Sequence, residues 1–402
     1  MPYCLVSGGG GGEEEVRIFY QRYGHGGTKV LLITGLAGTH ESWAPQVKGL
    51  TGATDPADEE SPAAGVNDDD DGAENVSAFI EACCFDNRGA GLSSSPARRS
   101  GYTTSAMARD ALALMDHLGW RRAHVVGHSM GSMVAAKLAA AAPSRVASLA
   151  LLGATGGGYQ CVPNLLDWRT LSLAYRFLRA ATPEQRAAVD LEAHYTREYL
   201  DEPVSGSSLT RRETLYHEYV RGLSSASSSG GMQSRHGFEG QMHACWTHEL
   251  SPEEMETIRS AGLPVLIIHG RDDVVAQLCH ARTLAEKLRP AARMVELHGG
   301  HMVSHERPAE VNMFLMEMIK ASRSNIDLEE WSEVPDKKSD DGLICLAGSS
   351  AGSLGERESY LTIAYNLVAK IQCFGAFYVI LEHARRVVGM LMPPVRMPAS
   401  AL

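Results

Sequence analysis

Residues 123–142 read Ala-His-Val-Val-Gly-His-Ser-Met-Gly-Ser-Met-Val-Ala-Ala-Lys-Leu-Ala-Ala-Ala-Ala. A short β-prone run, 123–127, passes without a loop into an alanine-rich helical run that ends at Ala142, so the junction reads as a tight strand-to-helix elbow. At its tip stands Gly127-His128-Ser129-Met130-Gly131, a G-x-S-x-G pattern with a glycine two residues before and two after the serine. A serine hydroxyl is a weak nucleophile and reacts only when exposed and held beside a base. The elbow supplies the exposure. The glycines relieve crowding at the turn, and the helix N-terminus favours developing negative charge. Ser129 is the expected nucleophile.

Working outward, a base belongs late in the chain. His301 lies in Gly299-Gly300-His301-Met302-Val303, directly after the β-prone run 293–297, and the glycines let the loop carry the imidazole back to the serine. The neighbouring histidines read differently. His298 belongs to the end of the strand, His305 opens the final helix with Glu306, Arg307 and Pro308, and His128, next to the serine, is expected to point away. Between serine and base comes Pro264-Val-Leu-Ile-Ile-His-Gly-Arg-Asp272-Asp273, a strand running into a loop with two carboxylates. Either can orient an imidazole and stabilise its protonated form. A tetrahedral oxyanion also needs backbone donors. Met130 N–H follows the nucleophile, and Leu36 N–H lies in Thr34-Gly35-Leu36-Ala37-Gly38 after an early strand.

Around these motifs β-prone runs alternate with helical patterns from Val16 to about Ser322, at 16–23, 29–35, 79–86, 123–127, 146–153, 264–270 and 293–297. That rhythm implies an α/β fold, a mostly parallel sheet with helices on both faces. Two interruptions break it. Residues 52–77, with Asp68 to Asp71, are acidic and rich in Gly, Ala and Pro. They lack the spaced ligands and closing Glu of a calcium loop, and read as a solvated insertion. The stretch 155–262 is too long for a simple connection. Helical patterns at 164–180, 182–195 and 211–223 make it a cap, with the Ser/Gly tract 224–231 as a joint. The core is then 1–154 and 263–322, followed by a C-terminal extension, 323–402. In that extension a polar linker leads to the apolar segment 360–392, with Arg385 and Arg386 near its end. Its uninterrupted apolar part is shorter than the roughly 20 residues a membrane span requires, which leaves a core-docked helix or one lying on a membrane surface.

The order Ser129, Asp, His301, the Asp86-Asn-Arg88-Gly89-Ala-Gly91-Leu-Ser93 segment and the Gly300-His301 loop with Glu306 and Pro308 together resemble the α/β-hydrolase superfamily over about 16–322. The chain as a whole is similar to poorly characterised plant members of that superfamily. The resemblance implies the α/β-hydrolase fold, selects Asp273 over Asp272 as the orienting acid, and makes Asp86 and Arg88 structural turn residues. It implies hydrolysis of a carboxylic ester or related acyl compound through an acyl-serine intermediate, with no metal or organic cofactor. The early oxyanion loop departs from the pattern, with Thr34-Gly35 where His-Gly is usual. Two other readings fit the same resemblance: a small-molecule receptor that uses the cap as a docking surface, and a lipase that works at a membrane through 360–392.

Composition narrows the partners. A formal charge of −11 lacks the basic field that phosphate backbones require, so a nucleic acid is not an expected partner; the small ester or acyl substrate is what the resemblance implies. Eight cysteines without zinc-ligand spacing read as reduced structural thiols. The N-terminus carries neither a cationic region nor a long apolar run, so a cytoplasmic location is expected.

Overall fold

The computed structural model describes residues 2–6, 15–57, 79–164, 167–225, 233–324 and 326–333. Most of the acidic insertion, the greater part of the Ser/Gly tract and the segment 360–392 lie outside the described residues.

Eight strands form one sheet: β1 (Tyr3–Val6), β2 (Val16–Gly24), β3 (Thr28–Ile33), β4 (Ile80–Phe85), β5 (Ala123–His128), β6 (Val146–Leu152), β7 (Val265–Gly270) and β8 (Ala292–Leu297). Their order is β1-β2-β4-β3-β5-β6-β7-β8. The first two pairings are antiparallel, and every pairing from β4 to β8 is parallel. All seven expected runs are strands. β1 was not among them: four residues at a sheet edge are too few to show a period, and β1 exists by pairing Tyr3 to Val6 with Val16 to Phe19.

The parallel strands are buried on both faces, as their continuous apolar runs require. Along β3, Val30 and Leu32 enter one core while Leu31 and Ile33 enter the other. Along β7, Leu266 and Ile268 part in the same way from Val265 and Ile267. Cys83 and Cys84, both fully buried and free, also face opposite cores. Helices α1 (Ala44–Thr51), α2 (Thr104–His117) and α3 (Met130–Ala141) come from the first half of the chain. The long stretch after β6 supplies α4 (Trp168–Arg179), α5 (Pro183–His194), α6 (Arg197–Asp201), α7 (Arg211–Ser225), α8 (Arg235–Thr247) and α9 (Pro252–Ser260). The rest follow as α10 (Leu278–Lys287), α11 (Val303–Glu306), α12 (Pro308–Arg323) and α13 (Leu328–Glu333). Residues of α2, α3, α9 and α10 fill one core, and those of α1, α11, α12 and α13 the other. No helix among the described residues is long and apolar enough to cross a membrane.

The helices of 155–262 are of two kinds. Leu191, Tyr195 and Leu200 of the α5–α6 region pack with Leu215, Tyr216 and Tyr219 of α7 into a separate small cluster, which also takes in Met302. By contrast, Ala244 and Cys245 of α8 and Ile258 of α9 belong to the principal core. Thr182 and Thr196 cap α5 and α6 by accepting the N–H groups of Gln185 and Tyr199. The chain therefore breaks between the two helices at His194, Tyr195 and Thr196, directly over the loop that follows β8.

Asp86 and Arg88 act as turn residues. Asp86 Oδ1 accepts from His40 N–H at 2.7 Å and lies 2.9 Å from His40 Nδ1, and its Oδ2 accepts from Leu92 N–H at 2.9 Å. Arg88 grips Asp110 with two bonds of 2.6 Å, and the pair is almost completely buried.

Candidate active site

Ser129 is the N-cap of α3, with φ 54° and ψ −119°. A non-glycine residue held there stores about 1–3 kcal/mol and stays only where its surroundings over-determine it. Here they do. Ser129 N–H donates to Leu152 O at 2.8 Å, and Ser132 Oγ lies 2.8 Å from the carbonyls of both Gly127 and Leu152. The two glycines are required sterically. A Cβ on Gly131 would stand 2.1 Å from Ile33 O, and one on Gly127 would stand 2.2 Å from Gly131 O. Backbone meets backbone at both places, so Gly131→Ala is expected to destabilise the fold by about 3 kcal/mol or more. Urea unfolding would check it: an unchanged midpoint means α3 does not pack on β3 this closely. The outcome of the elbow is a partly exposed Ser129 at the end of a buried strand.

Met130 opens α3, and a first-turn N–H has no acceptor within its own helix. The loop of Leu36 comes from the other side. Gly35 packs so closely that a Cβ there would lie 3.2 Å from Ser129 Cβ. Ala37, at φ 61°, donates its N–H to Gln241 Oε1 at 2.9 Å, and Gln241 Nε2 donates to Arg88 O at 2.9 Å. Gln241 is fully buried in α8 and ties this loop to the Asp86 turn. Sequence reading missed it, because a lone glutamine within a helical run gives no signal.

Asp273 and His301 are brought together. His301 Nδ1–H donates to Asp273 Oδ2 at 2.8 Å, with both side chains buried. Asp273 Oδ1 accepts from Val275 and Ala276 N–H, each at 2.8 Å. Burial raises the pKa of the Asp273 carboxyl, but the neighbouring imidazole charge and these hydrogen bonds outweigh it and hold the group below the usual carboxylate value. Asp272 instead faces outward, 3.1 Å from His298 Nδ1.

One expectation is corrected. His128 does not point away from the site: its ring packs 4.8 Å from that of His301, and its Nε2–H donates to His301 O at 2.9 Å. Because the elbow leaves only Ser129 outside, the residue before it turns inward beneath the histidine loop. Burial first, and then the proximity of His301, pushes His128 down to about 3. Burial likewise takes His124, bonded to Ser148 Oγ, and His248, bonded to Thr104 Oγ1, down to about 4. All three fold neutral, whereas an unfolded histidine gains a proton near pH 6.5. The unfolded state therefore binds more protons below that pH, and stability falls between about 6.5 and 4 at about 1.4 kcal/mol per pH unit for each residue. Thermal melts at pH 7 and pH 5 measure this, and equal midpoints would contradict it.

The cap holds the histidine loop at three successive residues. His194 O accepts Met302 N–H at 2.9 Å, Tyr195 O–H donates to His305 Nδ1 at 3.0 Å, and Thr196 N–H donates to Glu306 Oε1 at 3.1 Å. Glu306 Oε1 also accepts Gly300 N–H at 2.8 Å, and Thr196 Oγ1 bonds to Glu306 Oε2. His305 Nε2–H donates to Ser42 O at 2.7 Å, which anchors the same loop to the core.

Residues 73–308 match the family model of the alpha/beta hydrolase fold. The chain belongs to the α/β-hydrolase family. It is 26% identical over 290 residues to a protein of Caulobacter sp. (strain K31) whose name proposes carbamate hydrolysis, covering 72% of this chain and 90% of that one. Among solved structures, an enol-lactonase from Burkholderia xenovorans LB400 superposes with a TM-score of 0.57 at 22% identity, over 79% of this α/β-hydrolase and 100% of the lactonase. A thermophilic esterase from Thermogutta terrifontis does so with a TM-score of 0.56 at 19% identity, over 80% and 99%. At these identities the two structures speak for the fold. A functional reading has to come from this chain's own geometry, a partly exposed Ser129 on the elbow and a buried His301–Asp273 pair on the loops after β7 and β8.

Proposed function

We propose that this α/β-hydrolase is a serine hydrolase that cleaves a carboxylic ester or related acyl compound through an acyl-serine intermediate. The observation that carries the reading is the 2.8 Å bond from His301 to buried Asp273, on a loop whose histidine packs against the residue preceding Ser129.

With Nδ1 donating to Asp273, His301 keeps Nε2 free to take the hydroxyl proton as Ser129 Oγ attacks the acyl carbonyl. The carbonyl becomes an oxyanion that accepts from Met130 and Leu36 N–H, fixed donors that need no rearrangement as charge develops. Collapse breaks the bond to the leaving alkoxide, which takes the proton back from His301 and departs as alcohol. A water molecule then attacks the acyl-serine while His301 removes its proton. A second tetrahedral state breaks to a carboxylic acid and a regenerated Ser129 hydroxyl. Asp273 stays ionised throughout, and its lowered pKa is what that role needs.

The test is a fluorophosphonate probe, which bonds covalently only to an activated serine. The native protein gains one adduct by intact mass, mapped to the peptide that carries Ser129, and Ser129→Ala gains none. A folded native protein that gains no adduct rules the reading out.

A further inference from the structure

One polar group in the cap is without a use in the mechanism above. His194, the last residue of α5, places its ring 6.0 Å from that of His301, at a tilt of 31°. Its backbone and one ring nitrogen are committed: the carbonyl holds Met302 N–H, and Nδ1 lies 3.1 Å from Tyr219 Oη. Its Nε2 has no hydrogen-bond partner among the described residues, and the residue as a whole is only partly buried. Cap and histidine loop otherwise enclose the ring. Burial, followed by the proximity of His301, pushes its pKa down to about 3, so it is uncharged wherever the protein is folded and active.

We infer that His194 is a specificity residue whose Nε2 hydrogen-bonds a hydroxyl on the leaving-group side of the substrate, so that the preferred substrates are esters of hydroxylated alcohols. The inference rests on the serine-hydrolase reading of the same site. Three steps lead to it. His301 must return its proton to the leaving oxygen, so groups that lie next to His301 on its cap side meet the leaving alcohol and not the acyl chain. A neutral imidazole brings a single hydrogen bond and no charge, so it gives an anionic handle none of the charge pairing by which carboxylates and phosphates are strongly held, and a neutral handle is favoured. Finally, Tyr219 Oη can either donate to Nδ1 or accept from it, which leaves Nε2 as donor in one case and acceptor in the other. A substrate hydroxyl satisfies Nε2 in both tautomers, whereas a carbonyl or an ether satisfies it in only one.

The experiment compares two acetate esters of nearly equal size, 2-hydroxyethyl acetate and propyl acetate, by the ratio of their kcat/KM values. The native protein is expected to favour the hydroxylated ester by about five- to tenfold, the worth of one net hydrogen bond. In His194→Phe and His194→Ala the ratio falls to about one, with most of the loss in KM, and His194→Gln, whose amide can present either a donor or an acceptor near the Nε2 position, keeps the preference. Labelling of Ser129 by the fluorophosphonate probe is run on every variant to show an intact elbow. A native ratio near one overturns the inference, and so does an unchanged ratio in either variant that lacks the ring nitrogen. A native protein that neither labels nor turns over either ester overturns the serine-hydrolase reading itself, which separates the two failures.

Discussion

Ser129→Ala is expected to lower kcat by about 10⁶-fold, the full contribution of a serine whose base cannot act without it, leaving a residual rate of about 10³–10⁴ over water from the oxyanion donors and binding. The same position should also show a trade between stability and activity. Ser129 sits at φ 54° and ψ −119°, in a region that L side chains avoid, and it is held there by Leu152 O and by the close packing of Gly131 on Ile33 O. Alanine keeps a Cβ and so keeps the strain. Glycine does not. Ser129→Gly should therefore be as inactive as Ser129→Ala, yet more stable than it by about 1 kcal/mol or more, because the backbone penalty is relieved. Pre-steady-state kinetics and urea unfolding on the three proteins decide both points. Alanine activity within a hundredfold of native would mean the nucleophile is elsewhere, and equal stability of the Ala and Gly variants would mean the elbow is not strained.

Much of this site was legible in the sequence because each part is specified locally. A β-run ending in Gly127-His-Ser-Met-Gly131 and an alanine-rich helix can hardly avoid an elbow, and the runs at 264–270 and 293–297 each point a loop at the same sheet edge. The missing parts share a different cause: they are fixed by contacts between residues far apart in the chain. β1 depends on β2 across the glycine run, Gln241 joins Ala37 to Arg88 across about half the chain, and the inward turn of His128 depends on His301. Nothing in the neighbourhood of these residues announces the partner. The cap shows both sides of the rule. The patterns at 164–180, 182–195 and 211–223 are α4, α5 and α7, whereas α6, α8 and α9 were not read from the sequence, and neither was the grip of His194, Tyr195 and Thr196 on the loop at 300–306, since it is made largely by backbone groups and by hydroxyl and carboxylate tips.

Asp273→Asn is the sharpest test of how the base is held, with an expected loss of about 10⁴-fold in kcat at unchanged fold. The size follows from which side of the carboxylate is fixed. Asp273 Oδ1 accepts two backbone N–H groups, from Val275 and Ala276, and an amide in its place must present its oxygen to them. Its NH₂ group then faces His301 Nδ1, where Asp273 Oδ2 had accepted at 2.8 Å. Two donors cannot share one hydrogen bond, so His301 gives up its Nδ1 proton and carries it on Nε2, the nitrogen that receives the proton of Ser129 in the proposed mechanism. The base is left in the wrong tautomer with hardly an atom moved. Asp273→Ala should be damaging for another reason, because the imidazole loses its anchor and Val275 and Ala276 N–H lose their acceptor, so stability falls along with activity. Asp272→Asn is the control. Its carboxylate lies at the surface with His298, both side chains more than 40% exposed, and such a pair contributes about 1 kcal/mol or less, so activity should stay within about twofold of native. If Asp272→Asn proved the damaging change and Asp273→Asn the mild one, the acid would have to be reassigned and the bond at His301 Nδ1 read as a fixture of the loop.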